Sequence, residues 1–272
     1  MNQKNQRHEI ANKRVVYRIP GMEEAPIRRD VEYSFTDAGA LTIDLYYPFD
    51  SGGDSAKPAV IFVGGYPDPG VQNRIGCKQK EMESYISWGQ LTAASGLVAI
   101  THTTGIDPST DIQALIQYVR QNSVDLGIDG NRIGLWSCSG NVPNALSALM
   151  GEDRGYLKCA VLCYGCMLDL DGSAHMAEAS KTWGFVNPCA MKSVEDLPRD
   201  IPLFIARAGR DEFPHLNRTL DRFLEKALDY KLAVTFVNHA EAPHAFDLTH
   251  DSDTSRQIIR QILAFMRFHL LD

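Results

Sequence analysis

The chain has 272 residues, 44% of them hydrophobic, and a formal charge of −7 at pH 7; this is enough apolar material for one α/β domain or two small ones. The acidic balance, with both signs mixed along the chain, excludes a dedicated nucleic-acid binder, whose affinity would rest on clustered Lys and Arg against phosphates. No segment approaches the length of a membrane span, residues 1–9 lack the apolar core of a signal peptide, and six cysteines do not make a disulfide scaffold, so a cytoplasmic protein in a reducing compartment, with no membrane partner, is expected.

Up to residue 49, alternating segments at 14–19, 31–35 and 41–47 predict antiparallel strands joined by turns at Pro20-Gly21 and Asp37-Ala38-Gly39. A polar linker, 50–55, follows. From Pro58 the strands lose their alternation: 59–63 and 97–101 are continuously apolar, with helical periodicity at 81–95 between them and at 108–121 after them. Apolar strand, helix and apolar strand in repetition predict an α/β fold, a mostly parallel central sheet flanked by helices on both faces. A strand at 132–136 runs into Ser137-Cys138-Ser139-Gly140-Asn141 and then a helix over 141–150, where Pro143 falls in the first turn and its missing amide is tolerated. Strands at 157–164, 201–209 and 232–237 and helices at 215–228 and 252–270 complete the chain. The irregular stretch at 167–199 is long for a compact domain, and such stretches are usually functional. It is read as a lid inserted into a single domain spanning 1–272.

A serine hydroxyl is a weak nucleophile in water, so an enzyme that uses one exposes it on a sharp turn, gives it a base and sets amide N–H groups beside the developing oxyanion. A strand–turn–helix elbow supplies this geometry, usually as GxSxG with small flanking residues. Here Ser137 and Asn141 replace both outer glycines. Ser137 is still small; Asn141 is bulkier than the position normally admits, although Asn accepts unusual backbone angles. Ser139 alone would also suit a helix N-cap. Chain order adds to the case. Asp211 ends the strand at 201–209 and His244 lies in the loop after 232–237, and active groups in open α/β sheets collect at the carboxyl ends of strands.

Ser139 is thus the candidate nucleophile, His244 the general base, and Asp211 the group that orients the imidazole. Ser137 and Cys138 compete with Ser139, His239 and His250 with His244, and Glu212 with Asp211. The expected oxyanion donors are the amide of Gly140 and one from Gly65 or Tyr66, in the loop after the first parallel strand, with the Tyr66 hydroxyl as a further donor. Cys163-Tyr164-Gly165-Cys166 has a metal-like spacing, but no second CxxC pairs with it, and Cys159 and Cys163 share one strand face as small apolar residues. No metal or other cofactor is expected.

With these pieces placed, the chain resembles the α/β-hydrolases, most closely their dienelactone hydrolase-like and small carboxylesterase branch. The resemblance runs from Pro58 to the C-terminus and is carried by Val63-Gly64-Gly65-Tyr66, the elbow at Ser139, Ala208-Gly209-Arg210-Asp211 and Ala242-Pro243-His244-Ala245-Phe246-Asp247. It departs at Val63, where a histidine often opens the oxyanion loop, and at Ser139, where dienelactone hydrolases proper use cysteine. The resemblance implies a serine esterase that cleaves small-molecule carboxylic esters through an acyl-enzyme. Acyl transfer, lactone or C–C bond hydrolysis on the same fold, and a non-catalytic binding protein on a degenerate scaffold are the alternatives. In the lid, Trp183, Phe185 and Met176, together with Met191, would line an acyl pocket or form the lid's own small core. A homo-oligomer would form through the C-terminal helix or the lid, and no feature selects between them.

Overall fold

In the computed structural model, which describes residues 7–49 and 56–271, eight strands form one sheet in the order β1-β2-β4-β3-β5-β6-β7-β8. The predicted linker at 50–55 lies outside the described residues. Strands β1 (Ile27–Thr36) and β2 (Gly39–Tyr46) form an antiparallel hairpin, and β2 runs antiparallel to β4 (Val98–His102). The remaining strands, β3 (Lys57–Phe62), β5 (Ile128–Cys138), β6 (Leu157–Cys163), β7 (Leu203–Ala208) and β8 (Val234–His239), are all parallel to their neighbours. This is the mostly parallel sheet with antiparallel N-terminal strands that the hydropathy pattern predicts.

The loss of alternation after Pro58 has its physical cause in two cores, one on each face of the sheet. Helices α3 (Pro108–Gln121), α4 (Val142–Leu149) and α6 (Leu216–Asp229) cover one face, with Ile112, Leu146 and Phe223 against Ile61 and Leu135. Helices α2 (Glu83–Ala94) and α8 (Asp253–Leu271) cover the other, with Trp88, Ile259 and Met266 against Val60 and Phe204. Each fully buried aliphatic side chain of this kind contributes about 1.5–3 kcal/mol.

The alternation at 14–19 does not make a strand. The Val15 N–H donates to Ser87 Oγ (3.0 Å), the Val16 N–H to the Asp247 carbonyl (2.8 Å), and Arg14 reaches Glu83 and Gln90. The segment is a half-buried strap across α2 and the short helix α7 (Phe246–Thr249), and its pattern reports that one-sided burial rather than a ladder. A helix absent from the sequence reading, α1 (Asp68–Ile75), follows the first parallel strand. Pro69 sits in its first turn, where a proline is tolerated.

The stretch 167–199 holds one helix, α5 (His175–Trp183), and a single-turn helix at Val194–Asp196. Met167, Leu168, Cys189, Val194 and Leu197 are buried in the α3/α4/α6 core. The insertion is therefore packed into the domain along much of its length.

Candidate active site

Strand β5 ends at Cys138, and Ser139 follows with φ of 55°, in the left-handed region that few residues other than glycine adopt at low cost. The chain then turns through Ser139–Asn141 into α4. The strain at Ser139 is the sharp bend that lifts its hydroxyl above the sheet. Asn141 itself has ordinary helical angles, φ −81° and ψ −19°, so the expected use of asparagine's backbone tolerance is not what the position requires.

Ser139 Oγ lies 2.8 Å from His244 Nε2, and His244 Nδ1 lies 2.6 Å from Asp211 Oδ2. Because a carboxylate accepts, the imidazole donates from Nδ1 and presents Nε2 to the serine proton. The Asp211 side chain is fully buried, and its other oxygen accepts the Phe213 N–H at 2.9 Å. Two rings fix the imidazole plane, Tyr164 edge-on at 5.0 Å and Phe213 tilted at 4.9 Å. His239 instead faces Ser255 (3.2 Å) and Glu212 is exposed. Cys138 lies beside the site, and burial pushes its thiol up to about 12, far from the thiolate a cysteine nucleophile requires.

The second side of Ser139 is the loop 63–67. The Gly64 N–H donates to His102 Nε2 (3.0 Å) and the Gly65 N–H to Asn141 Oδ1 (2.6 Å). The Gly65 amide is therefore already engaged by the elbow. The amides of Tyr66 and Gly140 donate to no acceptor among the described residues, and these are the pair left for an oxyanion. Gly65 is a glycine for a different reason. A Cβ there would lie 2.8 Å from Asn141 Cα, so the loop packs directly on the elbow backbone. At Gly140 a Cβ would collide with the Tyr66 hydroxyl and the Phe185 ring, which places both beside the Ser139 turn. Burial raises the Tyr66 phenol above its ordinary value, so it stands as a neutral donor at this place.

A mesh of buried side chains holds the loop. His102 is kept neutral by burial, its pKa pushed down to about 4, and its Nδ1–H donates to the Thr103 carbonyl (3.1 Å). Asn144 Nδ2 donates to the Gly64 carbonyl (2.7 Å), Thr104 Oγ1 to the Tyr66 carbonyl (2.7 Å), and the Val186 N–H of the insertion to the Gly65 carbonyl (2.8 Å). Asp68 accepts the Gln79 and Thr104 amides, each at 2.9 Å, and desolvation raises its pKa. Below the His244 loop, Asp247 accepts from the Trp88 indole (2.8 Å) and the Tyr164 hydroxyl (2.6 Å). Burial raises its pKa too.

A cavity of about 720 Å³ opens over Ser139, walled by Tyr66, Val71, Arg74, Trp183, Phe213 and Leu248, with His8 and Ile10 at its edge. Of the four insertion residues expected to line it or to form the insertion's own core, Trp183 lines it. Met176 and Phe185 are buried with Cys166 and Leu216, which lie outside the insertion, in a cluster on which Tyr66 and Phe213 also pack, so they tie the insertion to the domain, with Phe185 edge-on to Tyr66 at 5.8 Å. Met191 is fully exposed. Helix α1 and the N-terminal residues His8 and Ile10 were missing from the sequence reading of the site, since nothing in their local pattern marks them as walls. Cys163 packs in the α2/α8 core and Cys166 in the insertion cluster, each acting as a buried apolar residue.

No protein-family model matches the chain, and no curated protein matches its sequence. Solved structures do match its shape. An ester hydrolase from the metagenome of Lake Arreo, in complex with a bipyridine phosphonate derivative, is 17% identical with a TM-score of 0.68, covering 92% of this chain and 88% of that one. A thermophilic esterase from the planctomycete Thermogutta terrifontis with bound propionate is 18% identical at TM-score 0.63, covering 92% and 97%. A hyperthermophilic esterase from the archaeon Pyrobaculum calidifontis is 17% identical at TM-score 0.65, covering 90% and 87%. At such identities the likeness speaks for architecture alone, and with the sheet order above it shows that the chain has the α/β-hydrolase fold.

Proposed function

We propose that this protein is a serine esterase that cleaves small carboxylic esters through an acyl-enzyme, with Ser139, His244 and Asp211 as its triad. One observation carries the reading: an unbroken hydrogen-bonded line from Ser139 Oγ through His244 to a buried Asp211 stands at the cavity floor. His244 takes the Ser139 proton as Oγ attacks the ester carbonyl carbon, and Asp211 stabilises the resulting imidazolium. The carbonyl oxygen, now an oxyanion, accepts the N–H groups of Gly140 and Tyr66. Collapse expels the alcohol, protonated by His244, and leaves the acyl group on Ser139. Water, deprotonated by His244, attacks the acyl carbon, and the acid leaves as Ser139 regains its proton.

The similar structures are themselves described as esterases, one with propionate and also with butyrate bound, which supports starting with short acyl chains. The pairing of Ala242–Asp247 with the Ser139 elbow favours the dienelactone hydrolase-like branch with serine in place of cysteine. Residues 167–199 serve as a fixed cap on a single domain, with Trp183 as its cavity-facing residue. All six cysteines are free thiols, which favours a reducing, cytoplasmic setting.

The test is mass spectrometry after treatment with a fluorophosphonate, together with turnover of p-nitrophenyl acetate through octanoate. A single adduct on Ser139, absent in His244→Ala, and loss of turnover in Ser139→Ala are expected. Wild-type turnover in Ser139→Ala would sink the assignment.

A further inference from the structure

Asn141 stands where an elbow of this kind ordinarily has glycine, and its side chain is 2% exposed with no idle polar atom. Its Oδ1 accepts both the Gly65 N–H (2.6 Å) and Gln79 Nε2 (3.0 Å), while its Nδ2 donates to the Tyr85 hydroxyl (3.1 Å). Gln79 in turn is tied through its own backbone N–H to Asp68 Oδ1 (2.9 Å), and the other oxygen of Asp68 accepts the Thr104 N–H (2.9 Å). Asn141 is thus the point at which the nucleophile's turn and the loop 63–67 are joined side chain to backbone.

We infer that Asn141 is a positioning residue that builds the oxyanion hole. By fixing the Gly65 amide it sets the next peptide, so that the Tyr66 N–H faces the same space as the Gly140 N–H, where both are unclaimed. The inference rests on the esterase reading above and adds a residue to it. Its physical basis is the cost of the alternative. With glycine at 141, the Gly65 N–H and the Gln79 side-chain amide would both lose their acceptor at the base of the cavity, where Gln79 and Asn141 are buried, and buried donors do not stay unpaired. The loop would shift to satisfy them, and displacement of an oxyanion donor by about 1 Å is enough to cost roughly 100-fold in rate. The counterintuitive consequence is that restoring the common elbow glycine damages this enzyme.

The experiment compares wild type with Asn141→Gly and Asn141→Ala in three readouts: kcat and KM on a p-nitrophenyl ester, the rate of fluorophosphonate labelling at Ser139, and inhibition by an alkyl trifluoromethyl ketone. That ketone forms a tetrahedral adduct whose oxyanion occupies the hole. The expected result is a kcat lowered roughly 10- to 100-fold with KM within about twofold, and ketone affinity and labelling rate weakened by a similar factor. A wild-type protein that neither labels nor turns over would refute the esterase reading before any variant is compared. With an active wild type, three outcomes overturn the inference: undiminished kcat in Asn141→Gly, ketone affinity that stays constant while kcat falls, or unfolding of both variants, which would assign Asn141 to the fold.

Discussion

The two sides of Ser139 are built on different principles. The proposed proton side is short and linear, two hydrogen bonds through His244 to Asp211, with both groups on loops at the ends of adjacent strands β7 and β8. The proposed oxyanion side is a mesh in which His102, Asn141, Asn144, Thr104 and the insertion each hold one backbone group of a single loop. A charge that must move needs a path, whereas a charge that must be met needs rigid amides in a fixed place. The first can be broken at one residue; the second spreads its support and should weaken by degrees.

The largest expected effect therefore falls on the proton side. Asp211→Asn should preserve the fold and lower kcat roughly 10⁴-fold, because the amide favours the wrong imidazole tautomer; a loss under tenfold in steady-state kinetics would show that Asp211 is not the orienting acid. On the oxyanion side, Asn144→Ala should lower kcat by roughly 10-fold with little change in KM, since the remaining anchors still hold the loop. A drop as deep as that of Asp211→Asn would erase the contrast between the two sides.

Stability tests sharpen the same contrast. Asp247→Ala leaves the Trp88 indole and Tyr164 hydroxyl without their acceptor, and should destabilise by about 3 kcal/mol in denaturant unfolding, with Asp247→Asn costing less. His102 supplies a pH signature. Its pKa falls from 6.5 to about 4 on folding, so between those values the unfolded chain binds the proton more readily. Stability is full above pH 6.5 and declines as pH drops towards 4, by at most about 3 kcal/mol. His102→Gln, which keeps an acceptor for Gly64 but does not titrate there, should flatten that part of the curve; superimposable curves would remove His102 from the account. Trp183→Ala is the smallest case, a change of roughly threefold in preference between short and longer acyl esters with an unaltered melting temperature.

The meeting of Ser139, His244 and Asp211 was legible in the sequence, and the mesh of side chains behind the loop 63–67 largely was not. Ser139, Asp211 and His244 can be found because each follows a strand whose apolar run is visible, and chain order does the rest. Asn141 meets Gln79 and Gly65 across 62 and 76 positions, a pairing no local pattern encodes, and so its bulk reads as a defect in the motif. Which of Gly65 and Tyr66 keeps a free amide could not be read, because the direction of an amide is a property of the turn, not of the residue type. Helix α1 is concealed by Pro69-Gly70, which punctuate turns as often as they open helices. Met176 and Phe185 are apolar whether they face a cavity or a buried cluster of the domain.

The hydrogen bond from Val186 to the Gly65 carbonyl limits how this scaffold can diversify. Caps are the segments that lineages and engineers exchange to alter substrate range, yet here the proposed cap also holds the backbone of the loop beside Ser139. A graft that replaces 167–199 wholesale would remove that support along with the old specificity. Exchange confined to 167–182 would spare it, leaving the stretch around Phe185 and Val186 in place as the seam between the insertion and the loop beneath it.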